Sequence, residues 1–479
     1  MNDVIEHPFL NGFLPHLLTI GGFLLAVFLI ARLMSEKKQP GNTVAWLLVI
    51  VLIPYVGVPL YLLLGGRKLR RLVKQKTRVF PTLPGSDFPL ATCRHLPVAR
   101  AVTASGGSPP LGGNSVSLIT KGRDAYRSLE AHILKAAHSI HITTFILGRD
   151  DTGRRIVALL AQRAKEGVKV RLLLDSVGCM FISRKFVAKI KEAGGEVAWF
   201  MPVMPFSTRG SANLRNHRKI AIFDHVTALI GGHNIAREYM GPTAYKKRWA
   251  DFGAIIEGPA AALLNDVFIA DWCFASRQKQ ETLRREVQGE TVGQPRGNGE
   301  LQVIVSGPDV DGDPLYEGLV AMIQSAEKSI WIITPYFIPD EVLLRSLIVK
   351  ARAGCEITLI VPAKSNHPVT DFARRHYLRE LRQAGVTVSL YGPGMMHSKA
   401  TIVDDRIALF GSANFDLRSL FVNFEIGVLA HSESDVRAIK AWAQSLKTSC
   451  TAPVDKKSRP FRLVEDLTED LSRLLAPLL

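Results

Sequence analysis

The chain has 479 residues and is 47% apolar, enough for two globular domains plus an appendage. Its formal charge of +17 calls for an anionic partner, either nucleic acid or an anionic lipid surface. Cys93, Cys179, Cys273, Cys355 and Cys450 are scattered and form no C-x-x-C pair, which excludes a disulfide framework or a cysteine zinc site and fits a reducing compartment.

The amino terminus decides between the two partners. Phe9–Ala31 is apolar apart from Asn11 and His16, and Thr43–Leu64 carries no charge. A helix needs about 20 apolar residues to cross a bilayer, so residues 1–66 read as two transmembrane helices around the polar turn Arg32–Asn42. A cleaved signal peptide is disfavoured because the start is not basic and a second apolar stretch follows. Pro54, Gly57 and Pro59 allow the second segment to re-enter rather than span. Seven basic residues follow (Arg67, Lys68, Arg70, Arg71, Lys74, Lys76, Arg78), against three in the turn, so the positive-inside rule puts the main body in the cytoplasm. The same run can rest on anionic headgroups. Residues 67–113 form a basic juxtamembrane segment and linker, since Pro81–Asn114 is rich in Pro, Gly and Ser.

Beyond the linker the chain repeats itself. Ala131–Phe145 matches Ala321–Tyr336 as a helix feeding a strand. Ile156–Asp175 matches Leu344–Pro362, each an amphipathic helix stopped by Gly167 or Gly354 and followed by a β-branched strand. Val187–Phe200 matches Leu378–Tyr391 in the same way. Helices alternating with buried-type strands indicate a layered α/β domain, here duplicated as 114–276 and 301–450. Residues 277–300 are a polar linker. The tail 451–479 is amphipathic, with Leu463, Leu467, Leu471, Leu474, Leu475 and Leu478 on one stripe, read as a packing face in preference to a membrane contact.

Each copy ends in the same constellation. The first is His217-x-Lys219-x4-Asp224-x6-Gly231-Gly232-x-Asn234; the second, 180 residues on, is His397-x-Lys399-x4-Asp404-x6-Gly411-Ser412-x-Asn414. Two complete copies after matching secondary structure do not arise by chance. Side chains two apart on a strand share a face, so each His and Lys project together. Asp224 and Asp404 fall on the other face or in the following turn, which assigns them to scaffolding in spite of their place in the motif. The six-residue gap fits a return strand that brings Asn234 or Asn414 back beside the His–Lys face. If the copies face each other, lysine and amide donors neutralise a phosphoryl group while one imidazole attacks and the other protonates the leaving oxygen. Asp251 and Glu425 occupy matching places downstream, where a carboxylate can hold each histidine's tautomer. No acidic cluster or His/Cys spacing suits a metal, so no metal or other cofactor is expected.

These paired H-x-K-x4-D motifs resemble the phospholipase D superfamily over Asn114–Ser434. Thr334–Pro339 (TPYFIP), Gly411–Ile426 (GSANFDLRSLFVNFEI), Asn42–Gly66 and the terminal Pro477-Leu-Leu resemble, more narrowly, bacterial cardiolipin synthases. The resemblance implies two tandem phospholipase D-like α/β domains, each a mixed sheet flanked by helices, behind a two-helix anchor in the plasma (inner) membrane. It implies that one phosphatidylglycerol passes its phosphatidyl group to another, giving cardiolipin and glycerol through a phosphohistidine. It carries catalytic roles onto His217, Lys219, His397, Lys399, Asn234 and Asn414, places Asp224 and Asp404 in the same catalytic set, and makes His217 the nucleophile by the family's usual order. That the copies face each other is likewise implied by the family. Ser412 is matched by Gly232, so one hydroxyl contact is missing from the first copy. The partners expected are phosphatidylglycerol and anionic membrane lipids, with no nucleic acid. The rival readings are phospholipase D hydrolysis, a nuclease that would have no use for a bilayer anchor, and a scaffold that leaves the paired sites unexplained.

Overall fold

The computed structural model describes residues 88–453 except 203–213, 288–291 and 311, together with Lys76 and scattered positions from Ile20 to Gly57. The described residues before Arg71 belong to a unit of their own, helical at Leu47–Leu52 and at several positions from Ile20 to Ala31. Most of Phe9–Ala31 and Thr43–Leu64, where spans are expected, lies outside the described residues. No helix among the described residues is long and apolar enough to cross a membrane. The leucine stripe of 451–479 also lies outside them.

The main unit is built twice from one plan. The first half supplies β1 (Leu111–Ile119), β2 (Ser139–Thr144), β3 (Lys169–Asp175), β4 (Glu196–Phe200), β5 (Ile220–Phe223), β6 (Thr227–Gly231) and β7 (Gly253–Glu257). The second supplies β8 (Gly299–Ser306), β9 (Ser329–Ile333), β10 (Glu356–Pro362), β11 (Thr387–Tyr391), β12 (Ala400–Val403), β13 (Ile407–Gly411) and β14 (Glu425–Ala430). The strand order is β4-β3-β2-β5-β6-β7-β1 in one half and β11-β10-β9-β12-β13-β14-β8 in the other. In each, three strands run parallel and the rest antiparallel, so the sheets are mixed. β1 and β8 pair antiparallel, Leu111 opposite Leu301, which fuses the halves into a single sheet of 15 strands closed at one edge by Cys450–Thr451. Joining them this way covers an edge of each half that would otherwise expose unpaired backbone groups.

The strands are buried on both faces, as their runs of Val, Ile and Leu require, and helices cover them. Each half has its own core. Leu129, Ile133, Ile156, Leu160, Leu172 and Leu174 pack in the first, and Leu319, Ile323, Leu344, Leu347, Leu359 and Val361 pack at matching places in the second. The Pro259–Ser276 helix is buried through nearly its whole length and reaches strands of both halves.

Two stretches read as linker are ordered elements. Within Pro81–Asn114, the Pro97–Ala104 helix puts Val98 and Val102 into the second half's core, and Gln302 Nε2 donates to Ala99 O at 3.0 Å. Within 277–300, the Gln280–Glu286 helix buries Leu283, and Glu286 accepts from Arg171 at 3.0 Å. In both stretches a short apolar spacing outweighs a Pro/Gly-rich or charged composition.

Candidate active site

Because β5 is antiparallel to β2, the start of β5 lies at the carboxyl end of β2 and β3. His217 and Lys219 stand just ahead of β5, and His397 and Lys399 just ahead of β12. Two isolated bridges cross between the halves there, Asn216 with Phe424 and Ala250 with Met396. His217 N donates to Phe424 O at 2.9 Å and His397 N to Ala250 O at 2.7 Å, so both motifs are locked to the opposite half.

The side chains cross as well. His217 Nδ1 donates to the carboxylate of Glu425 (2.9 and 3.0 Å), and His397 Nδ1 to Asp251 Oδ2 (2.8 Å). Each histidine is therefore oriented by a carboxylate of the other copy, leaving Nε2 for chemistry. All four groups are buried. Lys219 Nζ donates to His217 O at 2.6 Å, and Lys399 Nζ lies 3.1 Å from His397 Nε2. Phe145 stands edge-on to His217 with ring centroids 4.9 Å apart; Tyr239 stands edge-on to His397 at 5.0 Å, with Trp249 at 5.6 Å. Asn234 Oδ1 accepts from Ile146 N at 3.1 Å, while Asn234 Nδ2 and Asn414 Oδ1 are buried with no hydrogen-bond partner. Unsatisfied amides at a buried site cost stability unless a ligand supplies the partner.

The two carboxylates are not equivalent. Burial works to raise the Glu425 carboxyl, yet His217, Lys219 and the Ser412 hydroxyl together hold it below the usual range. Burial wins at Asp251, whose carboxyl is raised. Ser412 Oγ donates to Glu425 Oε2, whereas a side chain at Gly232 would collide with Asp251 Oδ1. The missing hydroxyl of the first copy is thus the space that Asp251 fills. Burial lowers His217 to about 4 and, with the charges of Lys399 and Lys219, takes His397 well below its ordinary value. It also lowers Lys219 to about 7 and Lys399 to about 8. The site thus favours two neutral imidazoles between two readily discharged ammonium groups.

Asp224 and Asp404 lie away from this cluster, in the tight turns after β5 and β12. Both have φ near +50° (50° and 52°), with His225 (61°) and Asp405 (54°) beside them completing type I′ geometry. Asp224 accepts the N–H groups of Ala137, His138 and Ser139 at 2.7–2.8 Å, and Asp404 those of Glu327, Lys328 and Ser329 at the same distances. Gly231 and Gly411, at φ of 155° and 159°, end the return strands where any side chain would strike the carbonyl of Phe252 or Ile426.

Two groups that the sequence did not reveal hold the first motif from behind. Asp175 Oδ2 accepts Asn216 N at 2.9 Å and pairs with Arg215 at 3.4 Å. Arg218, between His217 and Lys219, turns to the other face and donates to Asp271 Oδ1 (2.6 Å), Ser306 O (3.1 Å) and Glu425 O (3.1 Å). Lys76 closes the cluster on Asp271 and Asp309, giving two buried cations for two buried carboxylates. The second motif has Ser398 in place of Arg218 and only a 3.3 Å bond to Ala250 O. Matching copies gave no hint of this asymmetric cluster, whose partners lie 195 and 233 positions apart.

The family model described as "Cardiolipin synthase, PLD-like domain" matches residues 129–272 and again 319–447. A cardiolipin synthase of Alkalihalophilus pseudofirmus is 34% identical over 99% of this chain and 96% of its own length. The chain belongs to the cardiolipin synthase family of the phospholipase D superfamily. The major cardiolipin synthase ClsA of Bacillus subtilis is 33% identical, covering 96% of this chain and all (100%) of the relative. A second model, described as "Phospholipase D-nuclease N-terminal", matches residues 24–66. Among solved structures, the phosphatidylserine synthase of Haemophilus influenzae Rd KW20 aligns with 80% of this chain and 100% of its own at a TM-score of 0.61 and 15% identity, a likeness of fold.

Proposed function

We propose that this chain transfers a phosphatidyl group from one phosphatidylglycerol to another, yielding cardiolipin and glycerol, at the site between His217 and His397. The observation that carries the reading is the crossed pair of histidine–carboxylate bonds, which presents two neutral Nε2 atoms to one anionic reactant. The diester's negative charge offsets Lys219 and Lys399, the cations that depress His397, and so favours protonation of His397 as the donor binds. His217 Nε2 attacks phosphorus, a P–N bond forms, and the P–O bond to glycerol breaks as His397 hands its proton to the departing oxygen. His397, now neutral, takes the proton of the second lipid's hydroxyl. That oxygen attacks phosphorus, the P–N bond breaks, and His217 returns to neutral. Lysine and asparagine donors bear the charge built up on the phosphoryl oxygens. Asp251 and Glu425 orient the imidazoles, and Asp224 and Asp404 hold the hairpins.

Residues 1–66, which include the segment matched by the N-terminal model, serve in this reading as the anchor in the plasma membrane, with the catalytic halves on the cytoplasmic side. The test is purified full-length protein with labelled phosphatidylglycerol followed by lipid separation. Cardiolipin and glycerol are expected. Phosphatidic acid instead would make water the acceptor, and no conversion would sink the reading.

A further inference from the structure

The rim of the site carries an apolar feature that the transfer chemistry does not use. After β3 the chain turns through Ser176–Val187, and at the tip Met180 is 65% and Phe181 76% exposed. Two adjacent large apolar side chains standing in water are unfavourable unless something covers them. The turn that presents them is pinned by hydrogen bonds. Asp175 Oδ1 accepts the N–H groups of Val177 (2.9 Å) and Gly178 (3.0 Å), and Cys179 N donates to Asp175 O at 3.0 Å. Cys179 Sγ donates to Phe145 O at 3.3 Å, and only a glycine at 178 lets the turn press so close to that carbonyl. Phe145 is the ring against His217, and Asp175 holds the N–H of Asn216. The same two residues therefore seat both the Met180–Phe181 tip and the nucleophile's strand.

The segment that follows the tip is basic. Arg184 and Lys185 follow the tip and are exposed. Arg149 and Arg154 line, with Phe181, a cavity of about 450 Å³. Asp151 pairs with Arg154 at 2.6 Å and Glu238 with Arg237 at 3.3 Å, and Asp150 lines the same cavity as Arg149, so the net positive charge beside the tip rests on Arg184 and Lys185. Apolar side chains flanked by cations suit the boundary between headgroups and acyl chains, where the rings and thioether bury while the cations meet phosphates.

We propose that Met180 and Phe181 form a wedge that enters the interface of an anionic phospholipid bilayer and seats the His217 side of the site on it. A donor's phosphodiester then rises a short way to His217 while its acyl chains stay in the membrane. The inference rests on the reading that the substrate is a membrane phospholipid, and its test separates the two. Full-length Phe181→Trp protein is reconstituted in phosphatidylglycerol/phosphatidylcholine vesicles, with and without lipids brominated near the head of the acyl chain. The fluorescence added over wild type is expected to be quenched by the brominated lipid. The double variant Met180→Ser/Phe181→Ser is then assayed on vesicles and, in detergent, on dispersed short-chain phosphatidylglycerol. A loss of about tenfold on vesicles, with the short-chain rate within about twofold of wild type, is the expected result. An unquenched Trp at 181, or undiminished turnover on vesicles, overturns the wedge. Quenching of the Trp at 181, together with a wild-type chain that forms no cardiolipin, would sink the proposed reaction and leave the wedge standing.

Discussion

His217 and His397 are the same side chain in matching settings, and one difference between them lies in their carboxylates. Glu425 is held ionised by three donors, His217, Ser412 and Asn423, whereas burial raises the Asp251 carboxyl. A firmly ionised partner suits the imidazole that must carry positive charge on forming a P–N bond, which favours His217 as nucleophile. His397→Ala given a donor with a good leaving group, which needs no acid, is expected to accumulate lipid-linked protein. Acid should release the label, and mass spectrometry should place it on His217; label on His397 in the reciprocal His217→Ala variant alone would reverse the roles. The lysines set the pH behaviour. Each must be protonated to hold an anion, and burial lowers Lys219 to about 7 and Lys399 to about 8, so kcat/KM should fall as pH rises through that range. On the acid side the free enzyme loses its neutral nucleophile only near the His217 value of about 4. A guanidinium stays charged, so Lys219→Arg should move the alkaline limb upward, by about one unit where Lys399 becomes limiting. An unmoved limb in the pH profile would exclude Lys219 as its source.

At the scale of elements, the hairpins β5–β6 and β12–β13 follow directly on the two His–Lys pairs that the proposed reaction uses, and the aspartates carry the hairpins. Asp224→Asn or Asp404→Asn turns an ionised acceptor of three N–H bonds into a neutral group with one acceptor oxygen, and should cost about 2 kcal/mol of stability. Thermal unfolding should report that loss, while turnover per folded molecule stays within about threefold of wild type; a histidine-like loss in a well-folded variant would contradict the scaffold role. These hairpins were legible because strand alternation and motif spacing are local. The matching places of Asp251 and Glu425 were legible too, but not which histidine each serves, since spacing along a chain holds no information on how two copies face. Pro97–Ala104 was hidden among Pro, Gly and Ser because its apolar face is only Val98 and Val102. The Lys76 cluster was hidden for the opposite reason: each member is an ordinary charged residue until folding buries it beside the others.

At the scale of the molecule, the halves meet through β1–β8, the two cross-bridges and the crossed side chains. A protease site inserted between Val287 and Val292 and cut after folding should leave the halves co-purifying and turnover near that of the uncut chain. Separation of the fragments, or loss of activity on cutting, would show that the covalent link is needed. The crossing of the carboxylates also means that damage and its symptom fall in different halves. Asp251→Asn, a lesion in the first repeat, should fail at proton delivery and leave the adduct on His217 to pile up with a good leaving group. Glu425→Gln, a lesion in the second, should fail to form any adduct. A genetic map of inactive chains, sorted by the chemical step at which each stalls, would then run in the reverse of chain order, and neither repeat could drift in sequence without disabling the other's histidine.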